Sequence, residues 1–560
     1  MADDPKTQLL PLLVLTLVLG GAYAGLKYFG GPDEAPVATG DTAASSETGG
    51  SAGTSAPGAS ADAMAARSAA AQTAQIETEH FIATFTNLNS AVSSMRIKGD
   101  RFRSEDGELH EMVSTDRERY LPLNLELGGI RIPEDAVWRV SQPEPNKVRF
   151  ELEADGFRIT RQWEAGTSPY QLWSTVHIVN IGRVTRPVRV NVRTAHYVSR
   201  EAEGSTFLGR PSAFASFGQC SFDDNSEQER FDRSKLDGDN PSTQAFGYGP
   251  DVGWTAITNQ YFATLMAAED DSAERCRVWM SNRFQSGQVI DGTLFEAALV
   301  YPRVDLPAGG ETLVRTPIYM GPKDLDAMHA FGHRASAAVD LGWFTFIAEG
   351  LVWLLRSIFL LVGNWGLAII LLTFLVKLLL YPLTAASFKN MAKMSELKPL
   401  MEALNEKYGD DREAKGQATM ALYREHKVNP FAGCLPMLLQ MPIWFALYQS
   451  LSTNLELYHA PFVLFWTDLS ARDPYFVLPL LLGGLMFVQQ KLTPTAAMDP
   501  TQAKVMLYMM PIMITGFMLF LPAGLCLYMV TNSVLSITQQ HYIRVQLAAA
   551  SAKKAAAGPA

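Results

Sequence analysis

The sequence predicts a polytopic α-helical membrane protein that carries a large all-β domain outside the membrane. Long apolar runs occupy most of the chain after residue 340, whereas short alternating segments separated by turn residues fill residues 79–322. The chain has 560 residues, of which 48% are hydrophobic, and it is too long for a single domain. We therefore expect two parts of different character.

The composition argues against several classes of function. The net charge of −10 is opposite to the basic surface of nucleic-acid-binding proteins, so no direct DNA binding is expected. The sequence contains no CxxC pair, P-loop, HExxH helix or GxSxG turn, and we predict no metal, no cofactor and no enzymatic activity. The four cysteines are Cys220, Cys276, Cys434 and Cys526.

Residues 1–30 are predicted to form a transmembrane anchor. The apolar run Gln8–Phe29 is long enough to span a bilayer, but Ala22–Ala24 also resembles a signal-peptidase site, so a cleaved signal is the alternative. Two acidic residues among the first six favour the anchor. Residues 31–77, which are rich in Ala, Gly, Ser, Thr and Pro, are predicted to form a flexible linker.

Residues 78–325 are predicted to form the all-β domain. Apolar residues alternate on both sides of Asp155-Gly156, which predicts a hairpin with one buried face. His177 and His196 lie on strand patterns without metal ligands at a suitable spacing, and we interpret both as structural.

Two features of this domain are less determined by the sequence. Residues 204–249 are polar and rich in turn residues, so we expect a long surface excursion there. Cys220 and Cys276 would lie in an oxidising compartment and could form a disulfide, but no spacing rule decides whether they do.

The apolar stretch after the β domain is about twice the length of one membrane span, and Gly363–Gly366 interrupts it. We predict an amphipathic helix lying in the interface at residues 340–363 and the second transmembrane helix at residues 364–384. Lys377 lies inside this second helix. Either its ammonium extends past Pro382 to the headgroups, or it marks a functional site, because ionisable groups are costly at membrane depth.

Residues 385–428 are predicted to form a helical hairpin. The hairpin contains eight basic and seven acidic residues, whereas the loop at residues 453–474 contains one basic residue. The positive-inside rule places the hairpin in the cytoplasm. Residues 430–545 then supply transmembrane helices 3–6 and residues 546–560 a short cytoplasmic tail, so both termini are cytoplasmic, and the β domain is periplasmic in a Gram-negative cell.

Several stretches between Val352 and Ile543 together resemble the YidC-type membrane protein insertases of the YidC/Oxa/Alb family in their Gram-negative bacterial form. They are LVGNWGLAII, LTFLVKLLLYPLT, KVNPFAGCLPMLLQMPIWFALY and LPAGLCLYMVTN. The β domain matches more loosely, through GWTAITNQYFATLM. The resemblance implies a five-helix insertase core in the cell inner membrane and a periplasmic β-supersandwich domain.

The resemblance also implies a hydrophilic groove faced by one basic residue of the second span, a position that is commonly arginine and is Lys377 here. Lysine keeps the charge but lacks the planar fork that binds a carboxylate with two hydrogen bonds. The predicted groove residues are Lys377, Thr373, Gln440, Gln490, Tyr528 and Asn532. The predicted residues along the path of an apolar substrate segment are Met441, Pro442, Trp444, Met509 and Met513.

Simpler interpretations of these residues remain open, since polar side chains often bond between helices and methionines often fill space or face lipid. With the resemblance, the expected function is that of an insertase and chaperone for nascent inner-membrane proteins. Its expected partners are the Sec translocon, the phospholipid bilayer, and the ribosome and signal-recognition machinery at the hairpin. The alternative is a small-molecule or sugar transporter with a ligand-binding periplasmic β domain.

Overall fold

A computed structural model describes the chain between residues 71 and 556 and divides it into two compact units, Met1–Val339 and Asp340–Ala560. The anchor predicted for residues 1–30 and most of the predicted linker lie outside the described residues. Gaps in the description fall at residues 104–105, 116, 134–135, 200–216, 223–227, 232–235, 237–251, 270–272, 287–288, 340–344, 410, 427, 429–434 and 493–499.

The described part of the first unit contains eighteen strands in three antiparallel sheets. They are β1 Thr73–Glu77, β2 Phe81–Thr86, β3 Val92–Ile97, β4 His110–Glu111, β5 Asn124–Gly128, β6 Arg139–Glu144, β7 Lys147–Ala154, β8 Phe157–Ala165, β9 Gln171–Asn180, β10 Arg186–Ser199, β11 Phe217–Phe222, β12 Gln228–Phe231, β13 Val252–Thr258, β14 Phe262–Ala267, β15 Arg275–Ser286, β16 Val289–Val300, β17 Val304–Leu306 and β18 Glu311–Pro322.

The three sheets differ in size. A nine-stranded sheet has the order β12-β11-β13-β14-β18-β9-β8-β7-β6, and a five-stranded sheet has the order β15-β16-β10-β17 with β5 also paired to β10. The third sheet is β1-β2-β3-β4. Strands β11 and β13 of the large sheet contact β15 and β16 of the five-stranded sheet, which closes an apolar core between the two sheets. The β-rich fold of this unit is therefore confirmed.

The hairpin predicted around Asp155-Gly156 is β7 and β8, with Ala154 paired to Phe157. Both turn residues have positive φ, 50° and 78°, as the mirror-image turns of two-residue hairpins require. On the inward face of β8, the alternation continues through a charged residue, since Arg161 has a relative exposure of 0%.

Arg161 is held inside the domain by neutral oxygen atoms. Its guanidinium donates to the Leu123 carbonyl at 2.8 Å, the Ser90 carbonyl at 3.2 Å and the Ser174 hydroxyl at 3.0 Å. It also lies 4.2 Å from the ring centroid of Trp163. Burial lowers the pKa of Arg161 to about 9, so the group stays protonated at pH 7 and ties β8 to the two loops that supply the carbonyls.

Cys220 on β11 and Cys276 on β15 form a disulfide with a Cα–Cα distance of 6.3 Å. This bond connects the nine-stranded sheet to the five-stranded sheet. Both residues are fully buried. The sequence could not decide whether they form a disulfide, because the pairing depends on how the two sheets face each other.

Two expectations about this unit need correction, and the unit contains one short helix that was not predicted. The linker was expected to reach residue 77, but Thr73–Glu77 forms β1, because Ile76 packs into the core as the strand pairs with β2. Within the predicted surface excursion, Phe217–Phe222 and Gln228–Phe231 pair as β11 and β12. A short helix, α1 at Leu325–Phe331, follows the last strand, and its first turn is capped by the Asp324 carboxylate.

The second unit is helical in the residues described. Its helices are α2 Thr345–Val362, α3 Trp365–Glu396, α4 Lys398–Tyr408, α5 Arg412–Glu425, α6 Leu435–Thr453, α7 Val477–Leu492, α8 Pro500–Met518 and α9 Ala523–Ala556. Helix α3 packs mainly on α9, α2 packs on α3 and α6, and α7 packs on α8 and α9. By length and composition, Trp365–Met394 is the one helix of the described residues that could cross a membrane, with a mean hydropathy of 2.2.

The predicted break between the first two apolar helices is present. Helix α2 ends at Val362, Gly363 has a φ of 64°, and the Asn364 side chain caps α3 by accepting the Leu367 N–H at 3.0 Å. A Cβ atom on Gly366 would lie 2.0 Å from the Phe462 ring, so only glycine allows this contact.

Helix α2, predicted to lie in the interface, is not a simple amphipathic helix. One face buries Leu355 and Ile358 in the helical core, while Trp353 is exposed on the other. Arg356 forms an ion pair with Glu456, at an N–O distance of 2.7 Å. The interfacial location of α2 stays a prediction.

The helix that contains the predicted second span does not end at the predicted boundary. We expected the span to end at residue 384, but α3 continues to Glu396, because good helix formers follow Pro382, which removes only one backbone hydrogen bond. Likewise α9 continues into the predicted tail to Ala556, since the segment is rich in alanine.

The hairpin itself consists of α4 and α5. Asp411 caps α5 by accepting the Ala414 N–H at 3.0 Å. Leu397, Tyr423 and Val428 form a small apolar cluster, against which Met394 and Met401 pack. The second arm therefore covers the apolar residues Met394, Leu397 and Met401 around the start of the first arm.

Replacing Arg161 with methionine should lower the free energy of unfolding by about 2–4 kcal/mol, because the buried carbonyl of Leu123 loses its donor. Chemical unfolding of the full chain, followed by near-UV circular dichroism, would measure this. The matched control is Arg158→Met on the exposed face of the same strand, where a change within about 0.5 kcal/mol is expected. Equal losses for both variants would contradict the structural role of Arg161.

The Cys220–Cys276 bond closes a loop of 56 residues. Reducing it should lower the free energy of unfolding by about 2–4 kcal/mol, because the reduced unfolded chain is less restricted. Peptide mapping without reductant should recover the linked peptides, and a Cys220→Ser/Cys276→Ser variant should not respond to reductant. Alkylation of both thiols in the unreduced protein would show that the bond is not formed.

Candidate functional site

Lys377 lies on the packed face of α3. Ile369, Thr373 and Lys377 follow one another at four-residue spacing, which places them on one side of a helix. Ile369 and Thr373 are buried, whereas Leu379, on another side, is 78% exposed. Helix α3 therefore directs Lys377 toward neighbouring helices rather than toward its outer surface.

The ammonium of Lys377 is held by a hydroxyl group. Its Nζ donates to Ser536 Oγ on α9 at 2.8 Å, and that hydroxyl donates in turn to the Asn532 carbonyl at 2.8 Å. None of the described carboxylates pairs with Lys377. An ammonium has three donors, so among the described residues Lys377 keeps hydrogen-bonding capacity beyond this contact.

Helix α9 presents a polar stripe to this lysine. Tyr528, Asn532, Ser536 and Gln540 recur every four residues and so share one side of the helix. The side-chain oxygens of Asn532, Gln539 and Gln540 are buried and have no hydrogen-bond partner among the described residues. Buried polar atoms are almost always paired, so this stripe fits a site that water or a bound chain enters.

Two other predicted groove residues bond to each other across helices. Gln440 on α6 donates from Nε2 to the Tyr528 hydroxyl on α9 at 3.0 Å. Thr373 is buried, and its hydroxyl donates to the Ile369 carbonyl one turn earlier at 2.7 Å. The Gln440–Tyr528 bond therefore connects α6 to α9, whereas the Thr373 hydroxyl is satisfied within its own helix.

Gln490 has a different neighbour. Its Nε2 lies 3.7 Å from Met510 Sδ, a contact between α7 and α8. The structure therefore brings together Lys377 and the α9 stripe directly, and places Gln490 at another helix pair.

The residues predicted to line a path for apolar segments lie mostly on outer surfaces. Met509 and Met513 on α8 are 62% and 65% exposed, and Met441 on α6 is also exposed. Pro442 and Trp444 are partly buried. Adaptable apolar side chains are thus available on the surfaces of α6 and α8, as a contact with varied apolar partners requires.

Sequence reasoning missed Ser536, which makes the closest described contact of Lys377. The four-residue spacing from Tyr528 to Gln540 could have identified it, because a polar stripe on an otherwise apolar helix is a readable pattern. The sequence does not show in the same way which helix packs against this stripe.

Comparison with known proteins identifies the family to which both units are similar. The family described as 60Kd inner membrane protein matches residues 357–550, and the family described as YidC periplasmic domain matches residues 73–354. A membrane protein insertase YidC from Anaeromyxobacter sp. (strain K) is 38% identical, with 86% of this chain and 87% of that protein covered. The membrane protein insertase YidC from Citrifermentans bemidjiense is 34% identical over the same shares.

A crystal structure of an active YidC insertase with its first transmembrane segment is also similar. It is 20% identical, covers 84% of this chain and 92% of its own, and has a TM-score of 0.35. The family matches cover both units, and the relatives match over most of their own length. The chain belongs to the YidC family of membrane protein insertases.

Proposed function

We propose that the chain inserts nascent membrane proteins through a hydrophilic groove that contains Lys377 and the polar stripe of α9. The observation that carries this proposal is the Lys377–Ser536 contact inside an apolar helix pair, next to buried oxygens that lack partners among the described residues. A polar site in this position lowers the cost of moving a polar segment into the membrane. The transporter alternative is not favoured, because the family members are named insertases.

The charge of Lys377 suits an acidic tail of the substrate. Its ammonium is a point charge on a flexible stem, so it attracts carboxylates without demanding one geometry. The tail would enter the groove from the cytoplasm, and the apolar segment that follows would move along the exposed methionines of α6 and α8 into lipid. Partitioning of the apolar segment supplies free energy, and the membrane potential adds to it for a negatively charged tail.

The proposal includes a topology of six membrane spans in the inner membrane, with both termini cytoplasmic and the β domain periplasmic. It rests on the apolar runs and on the charge difference between the hairpin and the short loop after α6. Helix α7 and the apolar part of α8, Lys504–Met518, are short for a span of about 30 Å, so the bilayer would have to be thinner around them.

The partners in this proposal are nascent membrane proteins, the Sec translocon, and the ribosome with the signal-recognition machinery. The hairpin of α4 and α5 is the expected docking element, because its apolar cluster makes it a folded unit while most of its charges stay in solvent. Its charges nearly balance, so attraction to RNA alone would not hold it to a ribosome.

Lys377→Glu should reduce insertion of a substrate with an acidic external tail by about tenfold or more, since reversal replaces attraction with repulsion at low dielectric. Lys377→Arg should keep insertion near the normal level. A protease-protection assay on substrate tails measures both, and Lys393→Glu, on the exposed part of α3, is the matched control. Equal insertion by the wild type and both Lys377 variants would indicate that the Lys377 ammonium only extends to the headgroups and has no role in insertion.

Replacing Lys398–Glu425 with a short Gly/Ser linker should abolish insertion, while the protein still accumulates in the membrane. This deletion removes α4 and α5 and leaves α3 complete. A deletion that began at the predicted boundary, residue 385, would also have removed the last part of α3. Insertion and protein level would be measured together. Normal insertion, or loss explained by degradation of the protein, would argue against a docking role.

A further inference from the structure

The hydroxyl of Ser536 on α9 belongs to a hydrogen-bond chain with a fixed direction. It donates to the Asn532 carbonyl at 2.8 Å and accepts from Lys377 Nζ at 2.8 Å. A carbonyl oxygen only accepts and an ammonium only donates, so the single hydroxyl proton points toward Asn532 and a lone pair points toward Lys377. Ser536 is 7% exposed, so packed helices rather than solvent hold this orientation.

The contact also sets a level along the two helices. A Cβ atom on Gly524, near the start of α9, would lie 3.5 Å from Ile369 Cδ1, near the start of α3. Ser536 meets Lys377 further along both helices, so α3 and α9 run in the same direction. An ammonium extended toward Pro382 would therefore meet α9 about one turn, or about 6 Å, beyond Ser536. The described contact places it short of that position.

Among the described residues, Ser536 supplies the one side chain that forms a hydrogen bond with Lys377. The next two residues of α3, Leu378 and Leu379, are apolar and exposed on its outer surface. The stem of a lysine side chain rotates freely, so the stem itself does not fix the ammonium. Without the hydroxyl, the charge would be better solvated if it extended past the end of the span to the headgroups.

We propose that Ser536 is a positioning residue that fixes the level of the Lys377 charge in the groove. The groove would then favour substrate tails that carry a carboxylate at one distance from their apolar segment. Each residue of an extended tail moves a carboxylate by about 3.3 Å, so a shift of two residues weakens its attraction to a fixed ammonium by about half. This inference rests on the proposed insertase function and specifies its substrate class.

The first measurement needs no substrate. The full chain in phospholipid nanodiscs is treated briefly with a water-soluble acetylating reagent, and mass spectrometry compares acetylation of Lys377 with that of Lys393 on the exposed part of α3. Ser536→Ala should raise the acetylation rate of Lys377 by about threefold or more, because the freed ammonium would spend more time at the headgroups. Ser536→Thr, which keeps the hydroxyl, should stay near the wild-type rate.

Thr531→Ala is the matched control. The Thr531 hydroxyl also donates to a carbonyl of α9, that of Leu527 at 2.8 Å, but it makes no described contact with Lys377. This variant should leave the acetylation rate of Lys377 unchanged, which distinguishes loss of the Ser536 contact from a general loosening of α9. An unchanged rate in Ser536→Ala, or an equal rise in Thr531→Ala, would overturn the positioning role.

The second measurement tests the preference for a tail. One aspartate is placed at successive positions in the otherwise neutral tail of one substrate, and insertion is followed by protease protection. The wild type should insert best when the aspartate lies within a window of about two positions. Ser536→Ala should lower the ratio of best to poorest insertion by about threefold, whereas Ser536→Thr and Thr531→Ala should keep it. A wild-type profile without a maximum, or an unchanged ratio in Ser536→Ala, would overturn the inference.

Lys377→Glu separates failure of this inference from failure of the proposed function. If it impairs insertion while Ser536→Ala changes neither acetylation nor the tail profile, Lys377 acts without a positioning residue, and only this inference fails. If Lys377→Glu inserts every aspartate-containing tail as the wild type does, acidic tails do not use the groove, and both fail.

Discussion

A single ammonium group inside an apolar helix constrains the helical unit. Lys377 cannot face hydrocarbon without a large cost, so the helix that carries it must turn that side toward polar groups. Helix α9 provides them, because its residues at four-residue spacing present hydroxyl and amide groups to α3. The packing of α3 on α9 is thus both the main contact of the unit and the source of its polar site.

The polar side chains of the proposed groove are only partly paired with each other. Gln440 and Tyr528 bond to each other and stabilise the arrangement of α6 and α9, whereas the oxygens of Asn532 and Gln540 have no partner among the described residues. A fully paired network would be rigid and closed, and a fully apolar one would exclude a polar chain. The proposed groove has the intermediate condition, in which water and substrate would complete the hydrogen bonds.

In the β unit, a buried charged residue and a disulfide hold distant parts of the chain together. Arg161 is buried among carbonyl groups, and the Cys220–Cys276 bond joins two sheets, so both features fix parts of the chain that are distant in sequence. The continuity of α3 into the hairpin follows from local preference alone, since good helix formers carry the helix beyond Pro382. Contacts between distant residues therefore fix these parts of the β unit, whereas the local sequence sets the continuity of α3.

Much of the architecture followed from the sequence by itself. The period of apolar residues identified the hairpin at Asp155-Gly156 and the break at Gly363, because side-chain alternation and positive-φ glycines are local properties. The length of the apolar run and the single lysine within it singled out Lys377 as either a snorkelling or a functional residue, and the family resemblance favoured the functional interpretation. These features depend on neighbours in the chain, which a sequence displays directly.

Only the tertiary structure decided which distant residues meet. The pairing of Lys377 with Ser536, of Gln440 with Tyr528 and of Cys220 with Cys276 depends on helix rotation and on the facing of sheets. The same holds for Arg161, whose charge would predict an exposed position until the carbonyls that surround it are known. Such contacts are set by packing across the whole unit, and a small rotation of one element would change them, so no local pattern encodes them.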